Sequence, residues 1–149
     1  MSYANDMPST IATTELASEL RVSMMRLARR LRAERLDEGL TPTQLAVLGT
    51  LDRHGAMTLG ELAAHEKVQP PSMTRTTAAL EERGLVTRVS QPIDRRQVLV
   101  GISHDGLTLL REDRKRRDAW LASRFEQLTS DERALLHAVA PLLDWLAQA

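Results

Sequence analysis

Cysteine is absent from the 149 residues, and aromatic side chains make up only 3% of them. Without cysteine the chain can form neither a disulfide nor a thiolate metal site, and a cysteine-based peroxide sensor is excluded. Hydrophobic residues nevertheless reach 42%. The core must therefore be built mainly from Leu, Val, Met and Ala, which favours helices. The length suits one domain, with or without an extension.

Long apolar runs and an excess of one charge are also missing. No window reaches the roughly 18 apolar residues of a membrane span, and no signal-peptide core is visible, so we expect a cytoplasmic protein without a membrane partner. Twenty Lys and Arg residues balance twenty Asp and Glu residues. This balance argues against a nonspecific nucleic-acid coat protein, although a sequence-specific reader needs only one basic face.

Recognisable catalytic, cofactor and metal sites are missing as well. The histidines do not pair at metal-ligand spacing along the chain. No Ser-His-Asp arrangement, phosphate-binding glycine loop or dinucleotide fingerprint is present. We therefore expect no enzyme activity, no cofactor and no metal.

Residues 57–102 carry the clearest pattern, which reads as helix, turn, second helix, strand, basic turn and strand. The second helix is predicted from about Pro70 to a C-cap at Gly84. Helical spacing divides its residues into one face that points towards the protein core and one that points towards solvent. The inward face is Met73, Thr76, Thr77 and Leu80, and the outward face is Ser72, Thr74, Arg75 and Ala78. Short hydroxyl side chains and one Arg suit a helix lying in a DNA groove.

The segment after this helix predicts a β-hairpin. Residues 85–89 are β-prone, and Val98, Val100 and Ile102 alternate with other residues. Between these runs, Asp94, Arg95 and Arg96 lie in a turn. Arginines at a protruding tip suit a contact to the DNA backbone or minor groove.

The run from Leu59 to Gly84, followed by GLVTR, DRRQVLVGIS and GLTLL, resembles the multiple-antibiotic-resistance regulator (MarR) family of bacterial transcription factors. The resemblance covers the chain from about residue 14 to its end. It implies a homodimer formed through the N- and C-terminal helices, and often a small aromatic or phenolic effector. It also implies that Asp94 orients Arg96 into the minor groove, with Arg95 beside it.

The remaining segments read as helices. Leu16, Leu20, Met24, Leu27 and Leu31 predict an amphipathic helix from Thr14 to about Asp37. Its other face holds many arginines, which form either a solvated face or a rim for an anionic ligand or dimer partner. Capping boxes are predicted at 41–44, 58–61 and 129–132. A long helix is expected over 104–128, with a charged middle exposed as a strut, and Pro141 predicts a kink or break in the last helix.

The sequence thus predicts a mainly α protein in which four helices, a β-hairpin wing and two further helices follow one another. We expect a flexible arm (1–13), a helical dimerisation region (14–40 and 104–149) and a winged helix-turn-helix (41–103). The predicted function is a homodimeric transcription regulator, a repressor released by a small ligand, on an inverted-repeat operator in double-stranded DNA. The alternative is a winged-helix protein-interaction module. The predicted DNA contacts are Thr58, Gln69, Ser72, Thr74, Arg75, Arg88, Asp94, Arg95 and Arg96.

Overall fold

The computed structural model describes residues 11–34, 39–90 and 97–149. Within these ranges the order is α1 (Thr13–Ala33), α2 (Pro42–His54), β1 (Met57–Thr58), α3 (Leu59–Glu66), α4 (Pro70–Glu82), β2 (Val86–Ser90), β3 (Val98–Ile102), α5 (His104–Phe125) and α6 (Ser130–Gln148). The chain divides into two compact units. One comprises residues 1–35 and 120–149, and the other comprises residues 36–119.

The unit of residues 36–119 contains a three-stranded antiparallel sheet in the order β1-β3-β2. Val86 of β2 lies opposite Ile102 of β3, and Met57 of β1 lies opposite Val100. The hairpin strands were predicted from the sequence, whereas β1 was missed. A strand of two residues is too short to show alternation, so only its pairing with β3 identifies it.

The core of this unit lies between the sheet and the helices. Met73, Thr77 and Leu80 of α4 are buried, as their helical spacing predicted. The fourth predicted inward residue, Thr76, is only half-buried. The buried hydrophobic residues are Leu40, Val47, Leu48, Leu51, Leu62, Ala63, Met73, Leu80, Leu85, Val86, Val100 and Leu110. This core fixes α4 on its inner side and leaves its outer side to solvent.

Gly84 ends α4 as predicted, through two hydrogen bonds of a Schellman motif. The Gly84 N–H donates to the Glu81 carbonyl, and the Leu85 N–H donates to the Leu80 carbonyl, both at 2.9 Å. The motif needs a left-handed residue, and Gly84 has φ +71°. The chain therefore turns directly from α4 into β2.

The predicted capping boxes at Thr41 and Thr129 are confirmed, with both reciprocal hydrogen bonds formed. The hydrogen bond to the Thr129 backbone lowers the pKa of the Glu132 carboxyl, since it favours the charged form. At the third position, Thr58 accepts from the Glu61 N–H at 3.1 Å, but the described hydrogen bonds do not include the return bond from Glu61. Thr58 is also the last residue of β1, so its backbone belongs to the sheet as well as to the cap.

The charged middle of α5 was predicted to be polar all round and to run through solvent or between units. Residues 111, 112, 114–116 and 118 are exposed as expected, whereas Asp113 is buried and Arg117 half-buried. Asp113 is 1% exposed and pairs with Arg117 one turn later. Arg114 Nη1 lies 2.9 Å from Asp52 Oδ2 of α2. The segment packs against α2 by pairing charges, which an apolar periodicity cannot detect.

The structure differs from the sequence prediction at the end of α5, and it also bears on the break expected at Pro141 of α6. Helix α1 ends at Ala33, and the predicted end at Asp37 lies outside the described residues. Helix α5 ends at Phe125 instead of Leu128, where Arg133 Nη1 donates to the carbonyls of Phe125 and Leu128 at 3.2 and 2.8 Å. Helix α6 continues through Pro141, so the expected break is not seen.

In the unit of residues 1–35 and 120–149, helices α1 and α6 contain no buried residue among those described. The Trp120 ring lies within cation–π distance of two guanidinium groups, those of Arg30 at 5.4 Å and Arg124 at 5.3 Å from its ring centroid. The exposed large apolar side chains of the two helices are Leu16, Leu20, Met24, Met25, Leu27, Leu135, Leu136, Leu142, Trp145 and Leu146. The single chain therefore leaves an apolar surface on each of these helices uncovered.

Candidate DNA-binding surface

The outer face of α4 is polar and is presented by a short turn from α3. Lys67 has φ +54° at the C-cap of α3, and the Val68 N–H donates to the Ala63 carbonyl at 3.0 Å. These features end α3 and start α4 three residues later. Thr74 and Arg75 are exposed, whereas Ser72 is half-buried. Arg75 forms no ion pair with a described residue, so its guanidinium is available to a partner molecule.

The threonine hydroxyl groups of α4 donate their hydrogen bonds to backbone carbonyls of the same helix. Thr74 Oγ1 donates to the Pro70 carbonyl at 3.0 Å, and Thr76 Oγ1 donates to the Ser72 carbonyl at 2.9 Å. In this arrangement the exposed Thr74 offers its methyl group and the lone pairs of its oxygen outward. It can therefore accept from a base amino group or contact a thymine methyl group.

Gln69 and Thr58 occupy the N-cap positions of α4 and α3. Gln69 is exposed and its side chain makes no capping hydrogen bond, while its carbonyl accepts from the Ser72 and Met73 N–H groups. Its side-chain amide is thus not used by the helix. The Thr58 oxygen, by contrast, accepts from the Glu61 N–H at 3.1 Å. Each residue lies at a helix N-terminus, where phosphate oxygens are favourably bound.

Arg88 of β2 lies beside the N-terminus of α3. It lines a concave pocket of about 370 Å³ together with Thr58, Leu59, Gly60, Gln97 and Val98. Its Nε lies 2.5 Å from Glu81 Oε2 of α4, and its side chain is 37% exposed. Glu81 occupies one edge of the guanidinium, and the remaining N–H groups keep donor capacity. A phosphate in this pocket would meet a cation and helix N–H groups together.

The structure brings Thr58 and Arg88 into one pocket although they are far apart in the sequence. Gln69, Ser72, Thr74 and Arg75 lie along the first half of α4. Asp94, Arg95 and Arg96 lie outside the described residues. The sequence did not identify Gly60 and Gln97, which line the pocket, or Glu81, which pairs with Arg88. Glu81 lies in α4 and Arg88 in β2, and the spacing of charges within either element does not predict an ion pair between the two elements.

Other kinds of site find little support in the described part of the chain. No group of three or more His, Cys, Asp or Glu residues there is placed to hold a metal ion. None of the helices described is both long and apolar enough to cross a membrane.

A three-helix core with α3 and α4 joined by a short turn, followed by an antiparallel wing, is a winged helix-turn-helix, the fold of many DNA-binding proteins. The MarR family model matches residues 40–98. The chain is 45% identical over 128 residues to an HTH-type transcriptional regulator of Mycobacterium bovis, covering 86% of this chain and 90% of the relative. It is 30% identical to the HTH-type transcriptional repressor MdtR of Bacillus subtilis, covering 79% of each.

Among solved structures, a transcriptional regulator protein from Pseudomonas aeruginosa superposes with a TM-score of 0.82 at 36% identity, covering 95% of this chain and 99% of that one. The chain belongs to the MarR family of winged helix-turn-helix transcription regulators. It is accordingly a DNA-binding regulator and not an enzyme.

Proposed function

We propose that the protein is a homodimeric repressor that binds an inverted-repeat operator and is released by a small ligand. The proposal rests mainly on one observation: one unit exposes a polar surface suited to DNA, and the other exposes apolar side chains. One unit presents the polar face of α4 and the Arg88 pocket. The other leaves the apolar residues of α1 and α6 exposed. A DNA-reading unit and a self-association unit are what a symmetric operator requires.

Helix α4 enters the major groove in this proposal. Arg75 donates to guanine acceptors, and Thr74 and Ser72 contact neighbouring base edges. Gln69 reaches a base edge or phosphate at the start of the helix. Thr58 and Arg88 bind a backbone phosphate in the pocket they line. By resemblance to the family, Asp94 orients Arg96 into the minor groove with Arg95 beside it.

Dimerisation covers the exposed apolar residues of α1 and α6. Leu142, Trp145 and Leu146 are 62%, 68% and 56% exposed and lie close together on one helix, and neighbouring exposed apolar side chains of this size mark an interaction surface. A two-fold partner would bury the same residues on both chains. It would also set two copies of α4 about 34 Å apart, one turn of DNA, so the operator is an inverted repeat.

Release from DNA follows from a ligand that prefers a dimer with misplaced reading helices. A full switch needs a preference of roughly 5.5 kcal/mol between the two states. The family resemblance suggests a small aromatic or phenolic effector, and MdtR of Bacillus subtilis, similar over most of the chain, is named a repressor. We expect the protein in the cytoplasm, where its DNA lies.

The DNA contacts are tested by selecting bound fragments from sheared genomic DNA and footprinting them at near-physiological salt. We expect one protected inverted repeat of about two helical turns. Arg75→Ala should weaken binding to that site by roughly ten-fold or more, since one bidentate base contact is worth about 1–3 kcal/mol. Arg111→Ala is the matched control, because it removes an exposed cation outside the proposed contacts. Equal affinity of the two variants would show that α4 is not the reading helix.

The dimer is tested separately by sedimentation of the chain without DNA. Leu142→Glu combined with Leu146→Glu should convert a dimer into a folded monomer, because four carboxylates would enter the shared surface. A wild-type monomer at micromolar concentration would contradict the proposed assembly. If no genomic fragment is enriched by a ligand-free, refolded dimer, the protein-interaction alternative replaces the operator proposal.

A further inference from the structure

Two histidines that are eleven residues apart in the sequence come together in the fold. His54 is the last residue of α2, and His65 lies in the last turn of α3. Their ring centroids are 5.1 Å apart, and their planes are inclined by 58°. Sequence spacing gave no sign of this pair, because the turn and β1 between the two helices bring the rings together.

The separation of the rings suits a shared metal ion. An ion about 2.1 Å from one nitrogen of each ring, with a roughly tetrahedral angle between the bonds, sets the ring centroids about 5 Å apart. Face-to-face stacking of the rings is excluded by the 58° inclination. The centroid distance and the tilt of the rings are thus compatible with one shared ion, once each ring turns a nitrogen towards it.

A carboxylate next to the pair favours one orientation of His65. Glu66 Oε1 lies 3.7 Å from His65 Nδ1. The same oxygen accepts a hydrogen bond from Thr50 Oγ1, and Thr50 is only 6% exposed. Glu66 is thus held from the buried side, where it can orient the Nδ1 edge of His65. The 3.7 Å separation is longer than a hydrogen bond, and a small rotation of the His65 ring would close it. A carboxylate that accepts from one imidazole nitrogen is the usual support of a metal-binding histidine, whose other nitrogen binds the ion.

The two imidazoles are open to solvent. The His65 side chain is 42% exposed, and His54 is exposed at the end of α2. An ion can enter without any rearrangement of the core, and water can fill its remaining coordination positions. Imidazole nitrogen is a ligand for Zn²⁺, Cu²⁺ and Ni²⁺, whereas Mg²⁺ and Ca²⁺ prefer oxygen. The chemistry therefore points to a transition-metal ion of the Zn²⁺ class.

We infer that His54 and His65 form an open two-histidine site for Zn²⁺ or a similar divalent ion, with Glu66 orienting His65. The bound ion joins the end of α2 to α3, the first helix of the helix-turn-helix. It therefore holds the corner from which α4 is presented. Since only two protein ligands are supplied, the site is a weak, exchangeable one. The inference does not depend on the proposed operator or effector.

The test is calorimetric titration of the full-length, tag-free chain with ZnCl₂. The expected result is one ion per chain, and His54→Gln or His65→Gln should weaken binding at least ten-fold. His104→Gln and His137→Gln are matched controls that should leave affinity unchanged. Glu66→Gln should weaken binding by about ten-fold, the lower end of the range for partners of metal-binding residues. The Cu²⁺-loaded protein should show two coupled nitrogens in its electron paramagnetic resonance spectrum.

The inference is overturned if the His54→Gln/His65→Gln double variant binds Zn²⁺ as tightly as the wild type, or if neither binds. The pair is then a simple ring contact. Circular dichroism of each variant checks that the helices remain folded, and a melting temperature raised by Zn²⁺ only in chains with both histidines provides an independent measure. Operator binding by the metal-free chain tests the proposed function separately.

Discussion

Replacing Gly106 by Ala should destabilise the protein, although alanine is the better helix former. Gly106 lies in the first turn of α5 and packs onto the end of the α4–β2 turn. A Cβ at this position would overlap the Leu85 carbonyl oxygen and would lie 3.0 Å from Ile102 Cγ1. The carbonyl is not free to retreat, because it accepts a hydrogen bond from the Ser103 N–H at 3.0 Å.

The size of the effect follows from two opposing contributions. Alanine in a helix is favoured over glycine by about 0.5–1 kcal/mol. Inserting a methyl group into a filled space costs about 1–3 kcal/mol, and the overlapped group here is backbone, which relaxes less readily than a side chain. Because the overlapped atom is backbone, we take the upper part of this cost, about 2–3 kcal/mol. Subtracting the helix gain of about 0.5–1 kcal/mol gives an expected net loss of about 1–2.5 kcal/mol in the free energy of unfolding.

Urea unfolding followed by circular dichroism measures this loss, and Gly49→Ala is the matched control. Gly49 is also helical, in α2 of the same unit, but a Cβ there would meet only Arg114 Nη2, at 3.9 Å. The control should therefore gain stability by about 0.5–1 kcal/mol. If Gly106→Ala were as stable as wild type, the close approach of α5 to Leu85 would not exist in solution and the argument would fail.

Three further predictions concern charge. Asp113→Asn should lower the free energy of unfolding by about 1–3 kcal/mol, measured by urea titration. The loss is smaller than for a fully buried ion pair because the Arg117 side chain is 29% exposed. Asp118→Asn in the same helix is the control and should change the free energy of unfolding little. The lowered pKa of Glu132 gives α6 a stabilising contribution that is present above pH 4.5 and is lost as pH falls through the folded-state pKa. The stability difference between wild type and Glu132→Gln should therefore shrink on acidification, and a pH-independent difference would contradict the sign. Arg96→Ala should weaken operator binding and lower the salt slope by about one, and unchanged binding across a salt series would remove Arg96 from the contact set.

The sequence by itself determined those elements whose signals are local. The capping boxes at Thr41 and Thr129 and the glycine end of α4 depend on residues only a few positions apart. The inward face of α4 follows from helical periodicity for the same reason. The resemblance to the family rested on contiguous motifs, and the family model matches residues 40–98, which contain the first two of them and the start of the third.

Tertiary structure decided the features that join distant segments. The pairing of β1 with β3 and of Glu81 with Arg88 cannot be read from either segment alone. Asp113 is likewise buried because of where α5 packs, whereas its charged neighbours in the sequence predicted exposure. Periodicity records how one helix or strand divides its own faces. It does not show which other segment of the chain packs against that face. The Arg88 pocket and the His54–His65 pair form between such segments, so only the tertiary structure shows them.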